Sequence, residues 1–176
     1  MIIDQQILDE LTAKAKESPR LRVAMDLRNS PDDQSQRMLN ALEPGTVMPI
    51  HRHKGTSETC VCVRGHFEEY FYDSGGHLTE TVDMVPGGVV LNIEAGQWHS
   101  LKCLESGTVL LEAKDGAWRE LGEEEVMEIP DQVRNEYIAG ASVPAFLCEN
   151  LWQNLHVMEL LVNFATQEEL PCLEKH

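Results

Sequence analysis

Two hydrophobic patterns divide most of the chain. Near the N-terminus, Leu8 and Leu11 recur at helical spacing behind Asp4, a candidate N-cap, and predict a short amphipathic helix over 4–18. From 21 to about 114, short stretches rich in Val, Leu, Tyr, Phe and Thr are separated by turn sequences such as EPGT, DSGGH and EAGQ. Frequent turns without long helical segments favour an all-β barrel or sandwich.

The β pattern predicts about nine strands in a single domain. They are expected at 21–26, 37–43, 48–53, 58–63, 66–73, 78–84, 89–93, 98–104 and 108–114. We therefore expect a mainly β fold in which an N-terminal helical segment, 1–18, packs on a barrel that spans 19–122.

A third pattern begins after residue 130. Apolar residues lie along one helical face of 144–165 and predict a C-terminal helix within a helical extension that spans 123–176. The apolar stripe of this helix would pack on the barrel. Phe146 and Trp152 widen the stripe, so a homodimer contact is the alternative.

The composition changes this picture by exclusion. A formal net charge of −16 disfavours contact with phosphate backbones and anionic lipid surfaces. No apolar run approaches the roughly 20 residues that cross a bilayer, and the N-terminus lacks the basic and apolar regions of a secretory signal. Five cysteines without a C-x-x-C pair indicate reduced thiols. We expect a cytoplasmic protein that binds neither nucleic acid nor membrane.

Three histidines and one glutamate carry the candidate chemistry. On a strand His51 and His53 point the same way, and the four residues before Glu58 allow a turn that returns its carboxylate to them. His99 follows the EAGQ turn on another predicted strand. Three imidazoles and one carboxylate suit one divalent transition metal ion, whether Fe, Mn, Ni, Co, Cu or Zn.

Four further residues are candidates for contact with a small-molecule ligand. Arg37 could clamp a carboxylate or phosphate, although a surface ion pair explains it equally well. By strand parity Cys60 shares a face with Glu58, where a small buried hydrophobe is the simpler interpretation and a ligand or redox-sensitive thiol the alternative. Tyr70 and Trp98 could line a barrel mouth or pack in its wall.

The spacing of the metal-ligand candidates resembles the cupin superfamily. Gly45, His51, His53, Glu58 and Gly65 stand at every fixed position of the first cupin motif, G-x5-H-x-H-x4-E-x6-G. This resemblance implies a β jelly roll that holds a metal ion with the two histidines and the glutamate of this motif.

The second cupin motif, G-x5-P-x-G-x2-H-x3-N, is matched in part. Gly88, Gly96 and His99 occupy their positions, whereas Glu94 replaces the proline and Cys103 the asparagine. The departures leave the fourth metal ligand, His99, in place.

A closer resemblance, over residues 19 to about 114, is to the WbuC family of cupin-fold metalloproteins. It is carried by QRMLNALEPGT at 36–46 and by GVVLNIEAGQWHSLKCLESGTVLLEAKDG at 88–116. It implies a metal bound in the barrel and an association with bacterial surface-polysaccharide (O-antigen) synthesis. The resemblance fades after about Gly122.

Two functions are consistent with this ligand set. The first is a metal-dependent enzyme, such as an oxygenase, isomerase or epimerase, acting on a small oxygenated or sugar-like molecule. Glu69, Tyr70 or Glu112 would serve as its general base if strand parity turns them inward. The second is a non-catalytic module that uses the metal to capture a saccharide or an organic acid. The fold alone does not choose between them.

Overall fold

The structure, a computed structural model, describes residues 1–127. The elements in chain order are α1 (Gln5–Glu17), β1 (Arg22–Asp26), β2 (Ser35–Leu42), β3 (Glu58–Arg64), β4 (Phe67–Tyr72), β5 (Leu78–Met84), β6 (Val90–Ile93), β7 (Trp98–Cys103), β8 (Thr108–Asp115) and a 3₁₀ turn (Glu123–Glu125). The predicted C-terminal helix and the homodimer contact on 144–165 lie outside the described residues.

The mainly β fold with a short N-terminal helix is confirmed, and eight of the predicted strands are found. The ninth, expected at 48–53, is not a regular strand. Its extended backbone is joined to its neighbours through isolated bridges, from His51 to His99 on one side and to Val126 on the other. One isolated bridge on each side is too little pairing to make a ladder.

The strands form the two antiparallel sheets of a jelly roll. The larger sheet has the order β1-β2-β8-β3-β6 and the smaller has the order β5-β4-β7. Side chains from the two sheets pack together in one hydrophobic core between them. This core comprises Leu42, Cys60, Cys62 and Leu110 from the larger sheet, and Phe67, Met84, Leu101 and Cys103 from the smaller.

The helix α1 covers the outer face of the larger sheet. Its side chains Leu8 and Leu11 pack against Leu39 and Val109, which alternate with the inward-facing residues of their strands. Arg64 then ties the helix down, because its guanidinium donates to the carbonyl oxygen of Leu8 at 2.9 Å. Within residues 1–127 no helix is both long and apolar enough to cross a membrane.

Gly65, the last glycine of the first cupin motif, is required by its surroundings. Its φ is +80°, and a Cβ atom there would meet the side chain of Thr108 and lie 2.7 Å from the Cα of Thr108. Gly87 also has a positive φ, +71°, but a Cβ atom on it would meet nothing within 4 Å. An alanine at Gly87 would meet backbone strain alone, whereas an alanine at Gly65 would meet backbone strain and steric overlap.

We predict that Gly65→Ala lowers the free energy of unfolding by about 2–5 kcal/mol, since it adds overlap to left-handed strain. The control Gly87→Ala should cost only the strain, about 1–2 kcal/mol. Urea denaturation of both variants measures the difference. Equal losses would show that Thr108 yields to the added methyl group.

Candidate metal centre

Two backbone hydrogen bonds bring the histidine-bearing segments together. The N–H of His51 donates to the carbonyl oxygen of His99 at 2.9 Å, and the N–H of His99 donates to that of His51 at 2.8 Å. The N–H of Gly96, at the turn before β7, donates to the carbonyl oxygen of His53 at 2.8 Å. These bonds align the 51–53 segment with the start of β7 and place the His51 and His99 ring centroids 4.3 Å apart.

The segment after β8 holds the opposite edge of the His51 backbone. Met127 donates its N–H to the carbonyl oxygen of Ile50 at 2.9 Å, and the carbonyl oxygen of Glu125 accepts from the N–H of Arg52 at 2.9 Å. The carboxylate of Glu125 is clamped by the Arg119 guanidinium at 2.6 and 2.7 Å. These hydrogen bonds hold the segment around Val126 against the backbone of His51.

Carbonyl oxygens set the tautomers of two histidines. His51 Nδ1 lies 3.1 Å from the carbonyl oxygen of Pro49, and His99 Nδ1 lies 3.0 Å from that of Gln97. A carbonyl oxygen only accepts, so each Nδ1 carries the proton and each Nε2 keeps its lone pair. Metal-binding histidines are oriented in this way.

The Nε2 atom of His99 is buried and has no hydrogen-bond partner in the structure. A buried polar atom without a hydrogen-bond partner costs about 1–3 kcal/mol of stability. Such an atom in a native protein therefore calls for an explanation, and a bound ion is one. One nitrogen from each of His51, His53 and His99 lies within 4.8 Å of the others. The residues present therefore fit a metal ion that takes these nitrogens as ligands.

The predicted carboxylate ligand adjoins this set at His53. Glu58 is the first residue of β3, and its Oε2 lies 3.0 Å from Nε2 of His53. The side chain of Lys114 on β8 shares the same space, with its ammonium 3.9 Å from Glu58 Oε2. Glu58 thus contacts one of the three clustered histidines, and Lys114, a cation that the sequence did not single out, lies beside both.

Burial keeps the imidazoles neutral. Desolvation is the largest cause that lowers the pKa of His51, and it brings that of His53 to about 4 and that of His99 to about 3. The pKa of Glu58 is raised by burial, although the charge of Lys114 opposes this. Neutral imidazoles are the form that binds a metal ion, and the charge of an ion would favour the ionised form of Glu58.

Two more carboxyl groups face the barrel interior. Glu69 on β4 is 2% exposed, and burial raises its pKa well above the usual range. The carboxyl group of Glu112 on β8 accepts from the side-chain amides of Gln36 at 3.2 Å and Asn40 at 3.1 Å. Burial, and next the charge of Glu58, raises the pKa of Glu112 to about 7. Both are therefore proton-holding groups near neutral pH.

Two of the candidate ligand-binding residues lie away from the histidines. Arg37 pairs with Asp33 at 2.9 Å, on the side of β2 opposite the inward-facing Gln36, so it is a surface ion pair. Tyr70 donates its hydroxyl to Glu68 at 2.5 Å, on the side of β4 opposite Glu69. In both strands the side chain one position away takes the inward place, because successive residues alternate between faces.

Trp98 and Cys60 have defined surroundings. The ring of Trp98 is covered by the guanidinium of Arg52, 4.2 Å from the ring centroid, which fits a structural contact at the barrel wall. The thiol of Cys60 is inside the barrel and 2% exposed, and burial is the largest cause that raises its pKa. A thiol of this kind is a small hydrophobe rather than a nucleophile.

Residues 3–84, less than half of the chain, match the model of a family described as a domain of unknown function, DUF6016. No curated protein matches the chain.

Solved structures similar to this chain are cupin-superfamily proteins. KdgF from Halomonas sp. is 17% identical, with 56% of this chain and 82% of that chain covered and a TM-score of 0.45. Oxalate decarboxylase from Bacillus subtilis is 20% identical, with 67% and 32% covered and a TM-score of 0.46. A sugar phosphate isomerase of the cupin superfamily from Silicibacter pomeroyi is 21% identical, with 53% and 59% covered and a TM-score of 0.44. Likenesses at this level bear on neither ligand nor reaction.

Because the pKa of Glu112 is raised, we predict that the free energy of unfolding of the metal-free protein depends on pH. The folded protein keeps this proton where the unfolded chain releases it, so stability falls as pH rises from 4.5 to about 7. Glu112→Gln removes the titration, so its stability relative to wild type should rise by up to about 3 kcal/mol between pH 4.5 and above pH 7. The loss of one of the two acceptor oxygens for Gln36 and Asn40 adds a cost that is the same at every pH.

Chemical denaturation of metal-free wild type and variant across this pH range tests the prediction. The control Glu80→Gln changes a carboxylate on exposed β5 and should leave the pH dependence of wild type unaltered. A constant offset between Glu112→Gln and wild type at all pH values would contradict it.

Proposed function

We propose that the protein binds one divalent transition metal ion through His51, His53, His99 and Glu58, and acts through it on a small molecule in the barrel. The observation that carries the proposal is the buried Nε2 atom of His99, which has no hydrogen-bond partner and lies among two further imidazoles. A bound ion would supply Lewis-acid or redox chemistry to an oxygen atom of the ligand.

The interior carboxyl groups support catalysis over binding alone. Glu112 titrates near neutral pH and is held by two amide donors, so it can give or take a proton without leaving its position. Glu69 lies inside the same barrel, and burial raises its pKa well above the usual range. A module that only captures a ligand has no need of proton-transfer groups beside its metal.

For the ligand we propose a small oxygenated or sugar-like molecule, in the synthesis of surface polysaccharide. The support is the sequence resemblance to the WbuC family over 19 to about 114. Oxygenase, isomerase and epimerase chemistry all remain compatible with three imidazoles and one carboxylate. The identity of the metal divides redox from Lewis-acid reactions.

Elemental analysis of protein purified without oxygen should find about one transition metal ion per chain. The double substitution His51→Ala, His53→Ala removes two of the three clustered imidazoles and should abolish this metal content. The matched control is His77→Ala, because the His77 side chain is 75% exposed and pairs with Asp73. Stoichiometric metal in the double variant would refute the ligand set.

Turnover separates the enzyme from the binding module. Metal-loaded protein offered sugar nucleotides in the presence and absence of oxygen should release product or consume oxygen, and the double histidine variant should do neither. Saturable binding of a sugar nucleotide without product would instead support a non-catalytic module.

A further inference from the structure

Lys114 places a positive charge inside the barrel, directly beside the proposed ligands. It lies on β8, in register with Glu58 of β3 and Gln36 of β2. Its ammonium is 3.1 Å from Nε2 and 3.3 Å from Nδ1 of His53, and its side chain is only 13% exposed. Lysine is among the residues least often buried, so an inward lysine calls for a negative partner.

The partners that Lys114 has are weak ones. The carboxylate of Glu58, 3.9 Å away, is at the limit of an ion pair, and the neutral ring of His53 carries no compensating charge. Other cations around the site are used elsewhere. Arg52 lies over Trp98, and Arg119 is clamped to Glu125. Among residues 1–127, Lys114 is therefore the cation that a ligand inside the barrel would meet.

Metal binding would change the charge balance around Lys114. A divalent ion and the ammonium bring three positive charges, of which Glu58 cancels one. Once Glu58 serves the ion, Lys114 also loses its nearest carboxylate. An uncompensated buried charge costs several kcal/mol, and an anionic ligand would remove that cost.

We propose that the ligand of this barrel is a small organic oxyanion, with its negatively charged group bound by Lys114 next to the metal ion. This inference rests on the proposed metal site and adds the charge of the ligand to it. The shared chemistry is that of a carboxylate or a phosphate, either of which accepts hydrogen bonds from an ammonium.

The test compares wild type with Lys114→Met, a neutral side chain of similar length, and with Lys114→Gln as a second neutral variant. Lys102→Met is the matched control, since Lys102 lies on β7 in register with Glu68, away from the interior. Cobalt affinity of the metal-free protein is measured first. Calorimetry on the cobalt-loaded protein then measures the affinity for glycolate, for inorganic phosphate and for neutral ethylene glycol.

We expect the Lys114 substitutions to affect cobalt affinity and anion affinity differently. Loss of a positive charge beside the metal should leave cobalt affinity equal or higher, whereas affinity for glycolate or phosphate should fall about ten- to hundredfold in both Lys114 variants. Tighter binding of glycolate would indicate a carboxylate ligand, and tighter binding of phosphate would indicate a phosphate ligand. Ethylene glycol should bind weakly to every variant, and Lys102→Met should behave as wild type.

Other outcomes overturn the inference. Parallel loss of cobalt and anion affinity in the Lys114 variants would show that the lysine only supports Glu58. Equal anion affinity in wild type and Lys114→Met, or no anion binding to the cobalt-loaded wild type, would refute the inference and leave the metal site standing. Absence of cobalt binding to wild type would instead refute the proposed function, and the inference with it.

Discussion

The pair of backbone hydrogen bonds between His51 and His99 is the constraint on which the site depends. These bonds join a segment with no regular strand structure to β7, and so bring together imidazoles that are 48 positions apart along the chain. Because the bonds are made by the backbone, the meeting of the two residues does not require a metal ion. The backbone pairing thus fixes the distance between the two segments, and the imidazole side chains are placed by it.

The electrostatics follow from enclosing this meeting point in a barrel. Burial lowers the pKa values of His53 and His99 and raises those of Glu58 and Glu112, so the interior disfavours charge on each of these groups. The ammonium of Lys114 lies in the same interior, 3.9 Å from Oε2 of Glu58. A bound divalent ion would reverse this preference for neutral groups, because it stabilises an ionised carboxylate and attracts anionic ligands. The charge of the preferred ligand thus depends on whether the metal ion is bound.

Local spacing predicted the proximity of neighbouring site candidates. His51, His53 and Glu58 lie within eight residues, and the side chains meet as the two-residue period and the intervening turn predict. His99 required a second motif, and its turn is present at Gly96. The strand pattern also anticipated eight of the strands, because short alternating segments between turns leave few alternatives.

Long-range register could not be predicted in the same way. Lys114 reaches the site because β8 pairs with β3, and no local pattern states which distant strands pair. Arg37 and Tyr70 were candidates for ligand contact, with a surface ion pair and packing in the wall as the alternatives. Each lies one position from the inward residue, and a shift of one residue reverses the face. The 48–53 segment was predicted as a strand, but it makes only one isolated bridge on each side, and the number of pairings that a segment makes depends on distant parts of the chain.

X-ray absorption spectroscopy at the edge of the bound metal tests the central claim most directly, since it counts the ligand atoms that the metal contacts. We expect three imidazole nitrogens and at least one oxygen at about 2.0–2.2 Å, with no sulfur ligand. A sulfur ligand at about 2.3 Å would assign the metal to a cysteine such as Cys60. That result, or a spectrum without imidazole scattering, would contradict the three-histidine site.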